Sequence, residues 1–474
     1  MKNNNTNLFY INTILIVIVS LINNLIFSQT TFVESQNIPS TFPSSAELVD
    51  LDNDNDLDLI RTFLASTGLS SLNANEIWLN DGLGNFTLHQ SFGNSESNDL
   101  AVGDLDDDGD IDIFVVNATY YPSQPDVTSN KVWLNDGLGN FTSNGQSLGV
   151  GISNGVALAD IDNDNDLDAY VGNSGANTVW INDGTGQFTN SSQYLGSYPS
   201  EDVAAVDIDD DNDVDIITAN CCINLGDHAN RVWLNNGTGI FQNNQAIGNT
   251  STNKLSIADI DGDLDPDVVF SNTFDDSKTY INDGNGNFSF HSNILSLSVA
   301  QRKTIKFSDI DNDGDNDMIA TIFSSIYENR IFINDGSGNF TEDFQLTILN
   351  TTDVAIGDID NDGDKDIFLL NVNDQNSEFW LNQLITLSTD LNNNDNPEFK
   401  VYPNPFIENF TVDLGKPYEN IFVNIFNLEG QNIYNQSFSS TRQIHLDLKR
   451  PKGIYFIQIE LNKKTRSIVK LIKK

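Results

Sequence analysis

Histidine and cysteine are almost absent from this chain, which holds four of one and two of the other in 474 residues. His89, His228, His291 and His445 stand apart, and none lies in a His-Glu-x-x-His zinc motif. No nucleophile elbow, which needs a strand, a tight turn and a helix, is expected. The two cysteines, Cys221 and Cys222, are adjacent, so no long-range disulfide framework can form within one chain. A vicinal disulfide and two free thiols both remain open. Basic residues are scarce as well, 23 Lys+Arg against 68 Asp+Glu. That balance repels phosphate backbones and anionic lipid, which excludes nucleic acid as a partner. Beyond residue 27 no apolar run is long enough to span a bilayer, so no transmembrane span is expected in the mature chain.

Aspartate is what the chain has in excess, and it is ordered. Seven runs carry five aspartates at every second position: Asp50 to Asp58, Asp104 to Asp112, Asp160 to Asp168, Asp207 to Asp215, Asp259 to Asp267, Asp309 to Asp317 and Asp358 to Asp366. Their starts are 54, 56, 47, 52, 50 and 49 residues apart, a period of one supersecondary unit per repeat.

In an extended strand, alternate carboxylates would lie roughly 6.6–7 Å apart. A single calcium ion needs six to eight oxygens at about 2.3–2.6 Å, so each run must curl into a loop. The turn is expected at the sixth position, which holds Asn55, Gly109, Asn165, Asn212, Gly314 or Gly363. Glycine and asparagine accept a left-handed backbone most cheaply. The fifth run has Leu264 there, which predicts its weakest or most distorted loop. Carboxylates without histidine or cysteine favour calcium over zinc or copper, and an all-protein cage disfavours magnesium. An EF-hand is excluded, because its twelfth position needs glutamate between helices, whereas no run has glutamate there and Val115 lies in an apolar, strand-like segment.

A second signature follows each run. Trp78-Leu-Asn-Asp-Gly-Leu-Gly-Asn-Phe86 returns at Trp133 to Phe141, Trp180 to Phe188, Trp233 to Phe241, Tyr280 to Phe288 and Phe332 to Phe340. Aromatic strand, Asn-Asp-Gly turn and aromatic strand predict a β-hairpin. With the strands flanking the aspartate loop, each repeat has four, the content of a propeller blade. The seventh hairpin stops at Trp380-Leu-Asn382. Phe32 lies 18 residues before Asp50, as Phe86 does before Asp104, so an N-terminal strand is expected to complete the last blade. The predicted fold class is all-β, with a seven-bladed β-propeller over residues 29–385.

The segments Gly103-Asp-Leu-Asp-Asp-Asp-Gly-Asp-Ile-Asp112 and Gly357-Asp-Ile-Asp-Asn-Asp-Gly-Asp-Lys-Asp366 resemble the FG-GAP/VCBS-type repeat, the blade unit of integrin α-subunit propellers and of many secreted bacterial proteins. The resemblance implies calcium ligands at positions one, three, five and nine, with the carbonyl of position seven. These are Asp50, Asp52, Asp54 and Asp58; Asp104, Asp106, Asp108 and Asp112; Asp160, Asp162, Asp164 and Asp168; Asp207, Asp209, Asp211 and Asp215; Asp259, Asp261, Asp263 and Asp267; Asp309, Asp311, Asp313 and Asp317; and Asp358, Asp360, Asp362 and Asp366. Up to seven Ca²⁺ would bind. Asp110 and Asp364, at position seven, would then be outward charges.

Residues 1–28 combine Lys2 with an apolar stretch from Leu8 to Phe27 and read as a signal peptide. Residues 386–399 are polar and read as a linker. The tail, 400–474, reverses the charge, with 12 Lys+Arg against 6 Asp+Glu, where residues 29–399 hold 10 against 62. Its Tyr402-Pro-Asn-Pro405 start, its Gly453-Ile-Tyr455 strand and its basic terminus resemble the type A C-terminal sorting domain of the type IX secretion system of Bacteroidetes. That resemblance implies a small Ig-like β-sandwich following the propeller, type IX secretion machinery as a partner, and a secreted or outer cell-surface location.

From the ninth aspartate to the next aromatic strand the spacing is 20, 21, 12, 18, 13, 15 and 14 residues, so length varies on the face opposite the aspartate loops. Tyr120-Tyr121-Pro122 and Cys221 through His228 fall in the long excursions. Loops on a rigid ring commonly carry recognition. The expectation is a monomeric calcium-binding propeller that binds or adheres to a glycan or protein. The alternative is a polysaccharide lyase or hydrolase, at which only Tyr120, Tyr121, His228 and Arg231 hint.

Overall fold

The computed structural model describes residues 30–64, 74–118, 129–149, 151–221, 229–273, 275–295, 303–324, 327–372, 375–383, 400–427, 432–461 and 465–474. The predicted signal peptide (1–28), the linker (386–399), Tyr120 to Pro122 and the stretch from Cys222 to His228 lie outside the described residues. Cys221 is disulfide-bonded.

Every element assigned is a β-strand. One compact unit, Phe32–Gln383, contains seven four-stranded antiparallel sheets. Blade 1 has the pattern of all: Pro43–Val49, Asp58–Phe63, Asn75–Asn80 and Phe86–Phe92, paired in chain order. The first strand of each blade lies against the first strands of its two neighbours, and Pro43–Val49 lies against Thr351–Gly357 of blade 7, so the ring is closed. Blade 7 takes its outer strand from the other end of the unit: Phe32–Ile38 pairs with Ser377–Asn382, with Phe32 opposite Asn382. This is the predicted closure, and it supplies the fourth strand of that blade and covers the outer edge of Ser377–Asn382.

The core is distributed among the seams. Seven apolar clusters occupy the seven junctions between blades, and the second strand of each blade packs on both sides. That is why Ile113-Phe-Val-Val116 reads as a continuous apolar run rather than an alternating one. At the seam of blades 7 and 1, Phe379 stacks on Phe86 with centroids 4.1 Å apart and meets Phe368 at 4.6 Å.

Amides reinforce the seams. Gln36 donates to the Phe86 carbonyl at 2.9 Å and accepts the Phe86 amide at 2.8 Å, joining the N-terminal strand to blade 1. Gln90 does the same for Phe141, Gln146 for Phe188 and Gln245 for Phe288. The hairpin tips are built as their residues suggest. Asp81 Oδ1 accepts the amides of Leu83 and Asn85, and Gly82 and Gly84 take φ of 73° and 76°.

The second unit has its described strands in 400–474 and forms two sheets, one of three strands and one of four. Phe410, Val412 and Leu414 alternate inward along Asn409–Tyr418, and Ile421, Val423 and Ile425 do so along Ile421–Asn427. Period-two burial on two sheets sharing one core makes a β-sandwich.

Phe379→Ala should cost about 3–5 kcal/mol, the range for emptying a buried phenylalanine site. Urea unfolding of the calcium-supplemented protein measures it.

Candidate metal centres

Each aspartate run is a loop between the first and second strands of its blade, as predicted. Its shape needs two left-handed residues rather than one. Position six has φ between 69° and 102° in all seven loops, and position four, from Asn53 to Asn361, has φ between 57° and 83°. Position four holds Asn, Asp or Gly in every run, a signal already present in the sequence. Leu264 adopts φ 76° and is 88% exposed, so the fifth loop keeps the common path at the expense of a left-handed leucine. Its hydrogen bonds match the others: the Leu264 amide reaches Asp259 Oδ2 at 3.0 Å, as the Asn165 amide reaches Asp160 Oδ2 at 2.9 Å.

The carboxylates divide by position. Position one accepts amides from within its own loop; Asp104 takes those of Asp108 and Gly109, at 3.2 and 3.0 Å. Position five accepts the amide two residues on, as Asp54 does from Asp56 and Asp362 from Asp364. Position nine is fully buried and uses both oxygens. Asp58 accepts the Leu51 amide on Oδ2 at 2.9 Å and the Asn80 amide on Oδ1 at 2.8 Å. Asp112, Asp168, Asp215, Asp267, Asp317 and Asp366 repeat that pair of bonds.

Position three is different. Oδ1 of Asp52, Asp106, Asp162, Asp209, Asp261 and Asp360 is buried with no hydrogen-bond partner among the described residues. A buried carboxylate oxygen without a donor is costly, so repeating one around the ring calls for a cation. Ligand-capable atoms of Asp50, Asp52 and Asp58 lie within 4.8 Å of one another, as do those of Asp104, Asp106 and Asp108; of Asp160, Asp162 and Asp168; of Asp207, Asp209 and Asp215; and of Asp259, Asp261 and Asp263. Loops six and seven, with Asp309, Asp311, Asp313 and Asp317 and with Asp358, share the same backbone bonds. The oxygen-only donor set fits calcium.

Burial dominates the electrostatics. It pushes Asp58, Asp168, Asp215 and Asp366 up to about 7, and Asp112, Asp267 and Asp317 up to about 6, with backbone amides opposing it in part. Asp52, Asp106, Asp162, Asp209, Asp261 and Asp360 are also raised, by burial first and then by the carboxylates beside them.

Two sets of residues do more than the sequence suggested. One is the asparagine closing each aromatic-aliphatic-Asn triplet, from Asn80 to Asn382. Asn80 Nδ2 donates to the Leu57 carbonyl of its own loop at 3.1 Å and to the Ile359 carbonyl of the neighbouring loop at 2.8 Å. Asn135, Asn182, Asn235, Asn282 and Asn382 reach the preceding loop in the same way. The other is position seven. Asp110 accepts from Asn53, Asp213 from Asn163, Asp364 from Asn312 and Asp56 from Asn361, so these carboxylates link adjacent loops, and Asp364, expected to be an outward charge, is buried. Gly151 to Gly155 spell Gly-x-Ser-x-Gly, but Ser153 opens an extended strand and its Oγ donates to Asn173 at 2.9 Å. It is no nucleophile elbow.

Carboxylates with raised pKa values hold their protons more tightly in the folded ring than in the unfolded chain. Their stabilisation is therefore present at acid pH and is lost as pH rises through about 6 to 7. In chelator, the melting temperature should climb as pH falls through that window; with calcium the trend should reverse, because protons compete with the ion. Leu264→Asn should stabilise the ring by about 1 kcal/mol, from relief of the left-handed leucine, read by chemical denaturation.

Residues 50–115, 104–171, 160–218, 207–270, 259–320 and 309–369 match the FG-GAP-like repeat, each match running from one aspartate loop through the next. Residues 400–474 match the secretion system C-terminal sorting domain. No curated protein matches the sequence. Among solved structures, an Agrocybe aegerita lectin, described for specific recognition of non-reducing terminal N-acetylglucosamine, is 18% identical over 73% of this chain and 86% of its own, with a TM-score of 0.43. The BP39L lectin of Burkholderia pseudomallei is 12% identical over 72% and 96%, at 0.48. BBS1N in complex with ARL6DN is 13% identical over 74% and 97%, also at 0.48. Among the described residues no helix is long and apolar enough to cross a membrane. The tail assigns the protein to the type IX secretion route and to a secreted or outer cell-surface location, and the repeats place the chain in the FG-GAP-like repeat family.

Proposed function

We propose that the protein is a calcium-stabilised binding module, secreted or held at the cell surface, that recognises a glycan or a protein through the face opposite its aspartate loops. The observation that carries the calcium reading is the repeated buried Oδ1 at position three, held beside other carboxylates by an identical loop backbone. Calcium would be bound by positions one, three, five and nine. Its charge would relieve the mutual repulsion that Asp50 and its neighbours impose on one another. The ion is a structural element in this reading, and the rigid ring carries recognition.

The opposite face supports the choice of surface. The inner strands begin there, and a depression of about 460 Å³ opens among Phe42, Asn98, Asn154, Glu201 and Thr352. Amides, hydroxyls and a carboxylate beside an aromatic ring suit a polar, hydroxyl-rich ligand.

Thermal unfolding of the full chain in calcium and in chelator, with metal analysis of the same sample, tests the reading. A large calcium-dependent rise in melting temperature with several ions per chain is expected. Equal melting temperatures and no bound metal would refute it.

A further inference from the structure

Inside the ring, below the depression, a cavity of about 420 Å³ lies on the axis and is lined by all seven inner strands. Its charged residues sit at two levels set by the repeat. Asp99, Asp202, Lys254 and Asp353 each stand five residues before the first aspartate of their loop, and Glu47 and Lys306 stand three before theirs. Only ten basic residues occur in 29–399, and two of them point into this cavity.

The pairing inside is incomplete. Lys254 Nζ lies 3.5 Å from Asp202 Oδ1, and Lys306 Nζ lies 3.4 Å from Glu47 Oε1. Charge-assisted bonds close to about 2.7–2.9 Å, so both ammonium groups keep donor capacity. Burial opposes the charge on each lysine, but the carboxylates outweigh it. Asp202, Asp99 and Asp353 hold Lys254 above the ordinary lysine pKa, and Glu47 and Asp353 do so for Lys306.

Two of the aspartates serve the fold. Asp202 Oδ2 accepts the Leu255 amide of the next blade at 3.0 Å, and Asp353 Oδ2 accepts the Ala46 amide at 3.3 Å and the Ser45 hydroxyl at 3.2 Å. Asp99, at the equivalent position in blade 2, is 7% exposed and accepts no hydrogen bond from any described residue. In a seven-membered ring blade 2 faces the junction of blades 5 and 6, which carry Lys254 and Lys306. The cavity therefore has, on one wall, a carboxylate with no hydrogen-bond donor among the described residues and, on the other, two ammonium groups held by long contacts.

We propose that this axial cavity binds a small molecule carrying a primary ammonium group and oxygen acceptors, with the ammonium on Asp99 and the oxygens on Lys254 and Lys306. Four carboxylates against two ammonium groups favour a cationic or zwitterionic ligand over a neutral or anionic one. The volume is that of a small-molecule pocket. An amino sugar at a glycan end and a free amino acid share this chemistry. The proposal rests on the reading of the ring as a binding module and adds to it a site and a ligand class.

Calorimetric titration of the calcium-loaded full chain with glucosamine, glucose and glycine tests it, with Asp99→Asn as the variant. One glucosamine or glycine per chain should bind, at least tenfold more tightly than glucose. Asp99→Asn should lose at least tenfold in amine affinity at an unchanged melting temperature. Tighter glucosamine assigns the site to glycan ends, and tighter glycine to amino acids. Equal affinity for glucose and glucosamine, no amine binding by wild-type protein, or unaltered binding by Asp99→Asn overturns the site. Because calcium loading and folding are established first, such a result removes the cavity ligand alone, whereas a chain that fails to load calcium refutes the scaffold reading instead.

Discussion

The ring depends on a buried carboxylate at the end of each aspartate loop. Asp58 and its six counterparts are removed from water, and each spends both oxygens on backbone amides, one at the start of its loop and one in the third strand of its blade. One side chain thus sets the loop's curl and its position over the hairpin. Burial raises the pKa of that group, so the arrangement stores unfavourable electrostatics that nearby positive charge can relieve. The unpartnered oxygens at position three stand in the same cups and add to that demand.

Closure follows from repetition of weak contacts. Each seam has an apolar cluster, several have glutamine–phenylalanine exchange on the outer edge, and six have an asparagine reaching from one hairpin to the preceding aspartate loop. A typical hydrogen bond is worth roughly 1 kcal/mol net. Repeated around a closed ring, such bonds also fix the angle between blades, which is what keeps seven loops alike despite variable chain lengths on the other face.

The molecule separates its tasks by location. Acidic loops gather on one face, the polar depression opens on the other, and the few cations of the ring that face inward meet carboxylates on the axis. The basic tail is a compact sandwich with its own core and carries the export function. A highly acidic ring suits an extracellular module, where it stays soluble and is free of competition from nucleic acid.

The residues alone determined the repeat number, the strand content, the loop that each aspartate run must form, and the closing role of Phe32. All of these rest on local spacing and on the left-handed tolerance of glycine and asparagine, which act over a few residues. Leu264 shows the limit of that reasoning. The distortion expected there does not appear: the leucine takes the left-handed conformation, and the loop keeps the path and hydrogen bonds of the others. Tertiary structure alone decided which residues meet across seams and across the axis. Asn80 finds the Ile359 carbonyl 279 positions away, and Asp99 faces Lys254 and Lys306 only because seven blades close into a ring. No pattern of spacing encodes those meetings, since they depend on the angle at which each blade packs on the next.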